Sequence, residues 1–597
     1  MGLIRKGIVG LVVFASAGMV SAFVQKTTSE AAARRWELKN PHRQIPDSII
    51  NRQTQAIRYH LAEDAFSEAN REAELNAIRA SFGQWMSIPD SRIAFEEGPL
   101  VSTDVGVNTR DGTNIVRWAK SSTLVNGGRS DIRGRNGLAF VSFYRDGEIT
   151  EVDIVFNGVD SDWYADPRNP ENDGAPIETV ALHEIGHLLG LAHTVIPSAM
   201  MFPRGCSGME IRNGLTPDET AFAQSQYGVD GLNATLGVVE GRVTVAGDGV
   251  LGAGVLLEDS DGGIVASTIS LDAIDSHPLG QYRFPAVSPG NYQVRIFPLS
   301  PAGLSTAQVK AQELDSSRFA DAEVNFTPSE GVPVTVSAGQ TVTHDFQITL
   351  GEPAFRIDRF REPTGDPKQI RSSSSPILLS PGSPTVSLGV FGEGLPLEDV
   401  DFLITGDGLD LGPVETTDKF SDGLPHIFRE VTVTENATPG PRSFILQHGT
   451  DRAIAAGYFL VQASNRDDNY DGFSDEFQRE HFAVFTDPSA APDADPDRDG
   501  ISNRDESLQG TNPNISDRET PLVAPFPIDR VAVTAQGATI TLSSSVEGAL
   551  YQLYTRDHIE GDEWEPVGEE LFGTGAELEL FDSASREIRF YEVRVVE

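Results

Sequence analysis

Three histidines and one glutamate between residues 183 and 193 have the types and spacing to bind a metal ion and activate water. His183 and His187 are four positions apart, so on a helix their imidazoles leave the same face one turn apart. Glu184 lies beside the first histidine, where it can reach a metal-bound water without being a ligand. Gly190 can end the helix in the left-handed conformation, and His193 can then approach the same metal. Three neutral imidazoles leave a fourth position open for water, as in catalytic zinc sites.

The chemistry of such a site is hydrolysis of a peptide bond. Zinc lowers the pKa of its bound water to about 7. Glu184 takes the proton while the hydroxide attacks the carbonyl, and it then passes the proton to the leaving amine. The alternative is a core helix whose buried histidines are hydrogen-bonded. The extended pattern H-E-x-x-H-x-x-G-x-x-H rarely arises by chance, so it favours the metal site.

The stretch "HEIGHLLGLAH", followed by "SAMMFP", resembles the metzincins and, among them, the matrixins, the matrix-metalloproteinase family. The resemblance covers roughly residues 36–228. It implies that His183, His187 and His193 bind zinc and that Glu184 is the general base. It also implies that Met201 is the Met-turn methionine, an apolar floor beneath the metal, with Met200 as the neighbouring alternative.

Two further features of this family have no clear counterpart here. The stretch 138–163 contains no histidine, so a second, structural zinc is not expected. Cys206 follows the zinc ligands, which makes it an ordinary loop thiol and not a latency cysteine. The acidic and amide residues of this stretch either bind calcium or are solvated loop residues; they are Asp153, Asn157, Asp160 and Asp162.

The elements that must position the histidines are helices and strands of an α+β domain. "ELNAIRASFGQW" has apolar residues at helical spacing. A second helix is predicted from the N-cap Thr216, with Pro217 in its first turn, to Gly228. "TNIVRWA" and "ITEVDIVFN" have the composition of strands. After Gly228 helical periodicity nearly disappears, and apolar and polar residues alternate between Gly, Pro and Asp turns, as in β-sandwiches.

The predicted fold class is therefore multidomain, an α+β metzincin catalytic domain followed by β-sandwich modules, a calcium-loop stalk and a C-terminal β domain. The first module resembles the carboxypeptidase-regulatory-like β-sandwiches. Because such modules usually carry their own cores, a chain ending near Asp230 is expected to fold alone. The predicted segments are a signal peptide at 1–22, the matrixin-like domain at 36–230, the regulatory-like β-sandwich at 236–350, an Ig-like β domain at 355–463, the Asp-rich stalk at 465–515 and the C-terminal β domain at 523–597.

Two Asp-rich loops in the stalk resemble thrombospondin type 3 and EF-hand-like calcium loops. In the second loop, oxygen ligands and a glycine occupy the positions that a calcium loop requires. The first loop has Gln478 where a bidentate acid would sit, so weaker binding is expected. The alternative for both is a charged, solvated linker. The candidate ligands are Asp495, Asp497, Asp499, the Ile501 carbonyl, Asn503 and Glu506 in the second loop, and Asp467, Asn469, Asp471 and Asp475 in the first.

The composition of the chain limits the binding partners and the cellular compartment that can be expected for it. The chain has 597 residues, a formal charge of −42 and one cysteine, so nucleic acid and anionic membranes are unfavourable partners and no intrachain disulfide can form. Arg5 and Lys6, an apolar run and the small residues "VSA" predict a signal peptide. The mature chain is expected to be secreted, with no stable membrane insertion.

These observations predict a secreted zinc-dependent endopeptidase that acts on proteins or peptides and binds zinc and calcium. An extracellular surface or matrix ligand is a further expected partner for the β modules. The alternative function is a non-catalytic adhesion protein that uses a metzincin-like scaffold. Glu184 discriminates between the two, because a protein without catalysis has little need of it.

Overall fold

The computed structural model describes most of the chain from residue 33 onward. The predicted signal peptide and Cys206 lie outside the described residues. The chain forms two compact units, residues up to Tyr470 and residues from Asp471, and each is described by itself. The described ranges are 33–102, 105–166, 174–204, 214–271, 278–299, 310–314, 322, 324–361, 372–373, 376–392, 394–418, 423–516, 528–534, 536–543, 545, 549–556, 564–574, 576–583 and 589–595.

The first part of unit one is a mixed sheet with helices. The sheet order is β1-β2-β4-β8-β7, with β3 paired to β2. β2, β4 and β8 are parallel, and β7 lies antiparallel to β8 at the end of the sheet. The strands are β1 (Ile50–Asn51), β2 (Ala56–Leu61), β3 (Phe95–Glu97), β4 (Ile115–Ala119), β5 (Leu124–Val125), β6 (Ser130–Asp131), β7 (Gly137–Phe143), β8 (Ile149–Asn157), β9 (Trp163–Tyr164) and β10 (Ala175–Pro176); the helices are α1 (Arg71–Met86), α2 (Ile177–Leu189), α3 (Pro217–Tyr227) and α4 (Leu232–Thr235).

The local sequence patterns account for these helices. The apolar side chains predicted for α1 are buried, and α1 packs against α2, which carries the first two histidines. Gly190 follows α2 with φ of 104°, the left-handed conformation that was expected of it. α3 begins with the predicted Pro217 and has a capping box between Thr216 and Glu219.

Two sheets follow. Their orders are β12-β11-β15, with β18 and β19 also paired to β11, and β14-β13-β16-β17. The family to which this β region belongs stays a prediction. Its elements are β11 (Gly237–Val245), β12 (Asp248–Gly249), β13 (Ala253–Asp259), β14 (Ile264–Ile269), β15 (Gln281–Val287), β16 (Gly290–Pro298), α5 (Ala311–Leu314), β17 (Val332–Val336), β18 (Thr341–Thr343) and β19 (Phe346–Gln347).

The hydrophobic core does not stop at the predicted boundary near residue 230. One cluster of buried residues includes Leu182 and Phe222 together with Val239 and Tyr282. A second cluster joins the chain just after His193 to both β regions of unit one. Its members include Val195, Ile196, Ala199 and Phe202 from that stretch, Leu256, Ile269 and Leu314 from the first β region, and Ile445 and Ile454 from the next.

The second β region of unit one also has two sheets. Their orders are β21-β20-β23-β26-β25 and β22-β28-β27-β24, and they enclose a core of their own. Its strands are β20 (Arg359–Arg361), β21 (Ser372–Ser373), β22 (Ile377–Leu379), β23 (Val386–Phe391), β24 (Asp401–Ile404), β25 (Leu409–Thr417), β26 (His426–Val433), β27 (Gly440–His448) and β28 (Asp451–Val461).

Unit two contains short helices and then two three-stranded sheets, β29-β30-β33 and β32-β31-β34. Among the described residues of both units, no helix is long and apolar enough to cross a membrane. The elements of unit two are α6 (Asp475–His481), a 3-10 helix (Pro488–Ala490), α7 (Asn503–Gln509), β29 (Ile528–Thr534), β30 (Gly537–Leu542), β31 (Leu550–Arg556), β32 (Glu565–Phe572), β33 (Leu578–Asp582) and β34 (Phe590–Val595).

Candidate metal centre

The structure brings the three predicted zinc ligands together. His183 and His187 project from α2, and the chain turns at Gly190 so that His193 faces them. One nitrogen from each ring lies within 4.8 Å of the other two. The Nε2 atoms of His187 and His193 are 3.2 Å apart. Three imidazole nitrogens at this separation are the donor set of a zinc site.

Each of the three rings has a backbone carbonyl at its other nitrogen. The Nδ1 atom of His183 lies 2.9 Å from the Met200 carbonyl, and that of His187 lies 2.8 Å from the Leu191 carbonyl. The Nδ1 atom of His193 lies 2.6 Å from the carbonyl of Glu313. A carbonyl can only accept, so Nδ1 carries the proton and Nε2 keeps its lone pair for a metal. All three rings are therefore fixed in the tautomer that binds through Nε2.

The C-terminal end of α2 is held by the first described part of the chain. The indole Nε1 of Trp36 donates to the Leu188 carbonyl at 3.0 Å. The Tyr227 hydroxyl donates to the Leu189 carbonyl at 2.7 Å and accepts from the Trp36 amide at 3.1 Å. These bonds satisfy carbonyls that the last turn of a helix leaves open. They fix the point at which the chain turns toward His193.

Glu184 lies on α2 beneath the first residue of β7. It is buried, with 5% of its surface exposed. A Cβ atom added to Gly137 would lie 2.8 Å from Glu184 Oε1, so the strand approaches this closely only because residue 137 is glycine. The Glu184 side chain therefore packs against the first residue of β7, at the edge of the sheet.

Met201 lies beneath α2, where the resemblance to matrixins places the Met-turn methionine. It is completely buried, and a Cβ atom added to Gly186 would lie 2.3 Å from its sulfur. The Met201 carbonyl accepts from the Thr194 amide at 3.0 Å, which closes the loop between the third histidine and this turn. Met200 contributes the carbonyl that fixes His183.

Two acids at the start of α3 hold the same loop, and sequence analysis did not identify this role. Glu219 accepts from the Met201 amide at 2.9 Å, and Asp218 accepts from the Thr194 hydroxyl at 2.6 Å. Asp218 also accepts from the Ser267 amide on β14 at 2.6 Å. Burial, followed by the neighbouring Glu219 carboxylate, raises the pKa of Asp218 to about 7. The N-cap Thr216 and Pro217 predicted the start of the helix, but they did not reveal these long-range partners.

Asp153 and Asn157, which both lie on β8, form hydrogen bonds with the backbone of neighbouring segments. Asp153 accepts from the amides of Asn108 and Ile115 at 2.8 and 3.1 Å, and burial raises its pKa to about 7. The Asn157 side chain donates to the Ile132 and Arg135 carbonyls. Both residues are buried and hydrogen-bonded to the main chain, so they are not solvated loop residues. These hydrogen bonds explain why both side chains are buried, and the explanation does not require a bound ion.

The second Asp-rich loop gathers its first three acids. Asp495, Asp497 and Asp499 each place one oxygen within 4.8 Å of the others. The Gly500 amide donates a hydrogen bond to the Asp495 carboxylate, and the Ile501 amide donates one to the Asp499 carboxylate, each at 2.8 Å. Asn503 and Glu506 are completely buried, although short polar loops normally leave such side chains in water. Asn503 donates to the Ser489 and Ala491 carbonyls, and its own Oδ1 atom has no hydrogen-bond donor among the described residues.

The first Asp-rich loop spans the boundary between the two units. Asp467 and Asn469 belong to unit one, and Asp471 and Asp475 belong to unit two. Gln478 donates to Asp471 at 2.8 Å and to the Ala490 carbonyl at 2.8 Å. Its amide therefore occupies an oxygen that was predicted to bind calcium. The weaker calcium binding expected of this loop stays a prediction.

Comparison with known proteins identifies part of the chain. The matrixin family model matches residues 51–228. Matrix metalloproteinase-2 of Drosophila melanogaster is 41% identical over 69 residues, which are 12% of this chain and 9% of that protein. Matrix metalloproteinase-16 of Rattus norvegicus is 32% identical over 127 residues, 21% of this chain and 19% of that protein. Karilysin of Tannerella forsythia is 28% identical over 149 residues, 25% of this chain and 27% of that protein.

The chain thus spans between 9% and 27% of the length of these three relatives. Among solved structures, a major pilin subunit of Bacillus cereus matches 38% of this chain and 69% of its own at 12% identity. Its TM-score of 0.14 carries no argument about the fold. The family match encloses all three histidines, Glu184 and Met201. The comparisons therefore support a matrixin-like metalloendopeptidase domain at residues 51–228.

Proposed function

We propose that this protein is a secreted zinc-dependent endopeptidase with Glu184 as its general base. The observation that carries the proposal is the arrangement of His183, His187 and His193. Each ring is held through Nδ1 by a backbone carbonyl, and each directs Nε2 toward a common point. The matrixin family match over residues 51–228 supports the same activity. The signal-peptide pattern at residues 1–22 supports export.

The donor set fits zinc. Three neutral nitrogen ligands from protein and an open fourth position are typical of catalytic zinc sites, whereas structural sites use four protein ligands. When bound, the ion would polarise the scissile carbonyl and acidify water. The three carbonyls behind the rings keep the ligand orientation fixed before any ion arrives, which reduces the reorganisation that binding requires.

Proton transfer is assigned to Glu184 because of its place in the sequence and its burial. Glu184 follows His183 directly on α2, and its buried side chain lies against Gly137 at the edge of the sheet. There it can accept a proton from the attacking water and donate it to the amine that leaves. An adhesion protein that uses this fold only as a scaffold would have no use for a buried carboxylate at this point.

The edge strand β7 supports a peptide as substrate. It ends the sheet, so the hydrogen-bonding groups along its outer side can pair with an extended chain. Gly137, the first residue of β7, lies against Glu184. A peptide added along this strand would therefore pass the carboxylate and the histidines. This geometry favours cleavage within a chain.

We also propose that the loop from Asp495 to Glu506 binds calcium. Three carboxylates converge, and the part of the chain that the structure describes supplies no hydrogen-bond donor to the buried Oδ1 atom of Asn503. A cation ligated by oxygen would satisfy that atom and relieve the repulsion among the acids. The first loop, with Asp467, Asn469, Asp471 and Asp475, is proposed as the weaker site.

The experiment that tests the peptidase proposal incubates the intact secreted chain with a diverse peptide library, with and without a zinc chelator. Mass spectrometry then identifies the cleavage sites. Cleavage should stop with the chelator and return with zinc. Glu184→Gln should keep its zinc and lose at least about 100-fold in turnover, because it lacks the base and not a ligand.

Glu72→Gln is the matched control, because it removes an exposed carboxylate from the first turn of α1. It should leave turnover unchanged. Near-normal turnover in Glu184→Gln would overturn the role of the base. A wild-type chain that holds zinc stoichiometrically and cuts no peptide would favour the adhesion alternative.

A further inference from the structure

The ring of His193 is held by a part of the chain outside the matrixin-like domain. Its Nδ1 atom donates to the carbonyl of Glu313 at 2.6 Å, and Glu313 is 120 residues further along the chain. The corresponding carbonyls for the other two histidines, Met200 and Leu191, lie within the matrixin-like domain. The third ligand therefore depends on a segment that the family match does not include.

Three contacts hold this segment, residues 310–314, in place. The Glu313 carboxylate forms two hydrogen bonds with the Arg204 guanidinium, at 2.9 and 2.6 Å. The same carboxylate accepts from the Lys310 amide at 2.8 Å, which closes the turn. Leu314 is buried in the cluster that includes Ile196 and Phe202. The carbonyl that faces His193 is thus fixed from both sides.

Arg204 and Glu313 are a charged pair at neutral pH. Burial alone would raise the pKa of the Glu313 carboxyl, but its hydrogen bonds to Arg204 and to the Lys310 amide lower it below the ordinary value. A two-pronged contact between guanidinium and carboxylate also fixes orientation, which a single contact would not. Arg204 is three residues beyond Met201, so the pair links the Met-turn to the segment.

The position of the carbonyl excludes blockage of the metal by this contact. Nδ1 and Nε2 lie on opposite sides of the imidazole ring, so the Glu313 carbonyl lies behind the ligand. A group in that position orients the ring and raises its basicity, and it leaves the front of the ring accessible. The contact is therefore one of positioning and not of inhibition.

We propose that Glu313 and Arg204 are positioning residues of the zinc site, supplied across the boundary between the matrixin-like domain and the first β region. Glu313 orients His193 through its carbonyl, and the Arg204–Glu313 pair holds that carbonyl in place. The inference rests on the proposed zinc site, but not on peptide cleavage. It implies that the first β region completes the metal centre.

The test measures the zinc dissociation constant of the intact chain by competition with a chelator. Arg204→Ala and Glu313→Ala should each weaken zinc binding about tenfold, the lower end of the effect of groups that orient metal ligands. Because both changes break one pair, the double variant should bind no more weakly than the worse single variant. Arg204→Lys, which keeps the charge and loses the fork, should lie between Arg204→Ala and the wild type.

The matched control is Arg79→Ala. Arg79 forms the same two-pronged pair with Glu97, at 2.7 and 2.8 Å, away from the histidines. The exposed fractions are also alike, 24% and 26% for that pair against 28% and 30% for Arg204 and Glu313. Arg79→Ala should leave the zinc dissociation constant unchanged. A second readout is the visible spectrum of the cobalt-substituted chain, which should change in Arg204→Ala and not in Arg79→Ala.

Zinc affinity within twofold of wild type in both Arg204→Ala and Glu313→Ala would overturn the inference. Equal weakening in Arg79→Ala would also overturn it, since a general loss of stability would then explain the effect. Failure of the proposed function is distinguishable from both. A wild-type chain that binds no zinc contradicts the zinc site itself, whereas a chain that binds zinc but cuts no peptide leaves the role of Glu313 and Arg204 intact.

Discussion

The carboxylate of Glu219 accepts a hydrogen bond from the backbone amide of Met201 at 2.9 Å. Its second oxygen accepts from the Thr216 amide at 3.0 Å and from the Thr216 hydroxyl at 2.5 Å. One completely buried side chain therefore begins α3 and holds the Met-turn beneath the histidines. Helix capping and metal-site geometry are coupled through this residue.

Glu219→Ala should lower the free energy of unfolding of the zinc-free chain by about 2–4 kcal/mol, because it leaves the buried Met201 amide and the partly buried Thr216 amide without an acceptor. It should also weaken zinc binding, since the Met-turn loses its anchor. Differential scanning calorimetry and chelator competition measure the two effects. Glu219→Gln, which keeps one acceptor oxygen, should show a smaller loss of both. Unchanged zinc affinity in Glu219→Ala would contradict the coupling.

Gly137→Ala should reduce turnover by roughly 10- to 100-fold while the zinc content stays the same. The added Cβ would lie 2.8 Å from Glu184 Oε1, so the carboxylate must move, and small displacements of a catalytic group have effects of this size. Gly106→Ala is the control, because a Cβ there meets no atom of the described residues within 4 Å. Steady-state kinetics and metal analysis decide the matter. Equal turnover in both variants would show that the base tolerates the crowding.

The Asp218→Asn variant should gain stability relative to the wild-type chain as the pH rises. Burial raises the pKa of the folded Asp218 carboxyl to about 7, well above its ordinary value of 3.8. A group whose pKa is raised by folding stabilises the fold at low pH, and that contribution is lost as pH rises from about 4 to 7. Asparagine has no charge to bury, and the hydroxyls of Thr194 and Ser267 can reverse their roles as donors.

The measurement for Asp218→Asn is the difference in melting temperature between variant and wild type at pH 4.5 and pH 8. The difference should be larger at pH 8. A difference that is independent of pH would show that Asp218 carries the same charge in the folded and unfolded chains over this range.

A chain that ends at Asp230 should be insoluble or inactive, in contrast to the expectation from sequence. Truncation there exposes Val195, Ile196 and Phe202, which are buried against the β regions, and removes the Ser267 partner of Asp218. A chain ending at Ser464 keeps these contacts and should retain zinc binding. Expression of both chains, followed by metal analysis, tests the point. A soluble, active chain ending at Asp230 would show that the shared core is dispensable.

Calcium should protect the segment 465–513 from limited proteolysis. Without calcium, the carboxylates of Asp495, Asp497 and Asp499 repel one another. Asn503 and Glu506 then have no ion to hold their side chains in the buried positions. Glu506→Gln should lose most of the protection, because position 12 of such a loop supplies the bidentate acid. Glu476→Gln, which changes an exposed acid, should keep it. Equal cutting with and without calcium in the wild-type chain would reduce the loops to a charged linker.

Several features of the site were predictable because they depend on local geometry. The i and i+4 spacing of His183 and His187 predicted one face of a helix, and Gly190 was expected to turn the chain toward His193; the structure has both. The N-cap Thr216 and the helix to Gly228 were also predicted correctly. In each case the interacting groups are within a few turns, so residue type and spacing determine the contact.

The groups behind the histidines were not predictable from the sequence. Two of the three carbonyls that fix the rings belong to Met200 and Glu313, and a backbone carbonyl carries no signature of residue type. Arg204 and Asp218 could be identified only after folding placed them beside Glu313 and Ser267, 109 and 49 residues away. Such pairs depend on how whole elements pack.

The sequence by itself determined the candidate metal ligands, the proposed base and the helix that carries them, because short-range spacing and helix capping govern those features. Tertiary structure alone decided that the loop after His193 is buried against the β regions and that the Glu313 carbonyl contacts the ring of His193. The physical reason is that the hydrophobic effect is not directional. The apolar character of Val195 and Ile196 predicts that they are buried, but it does not predict which surface covers them. The surface that buries them is selected by the packing of the folded chain.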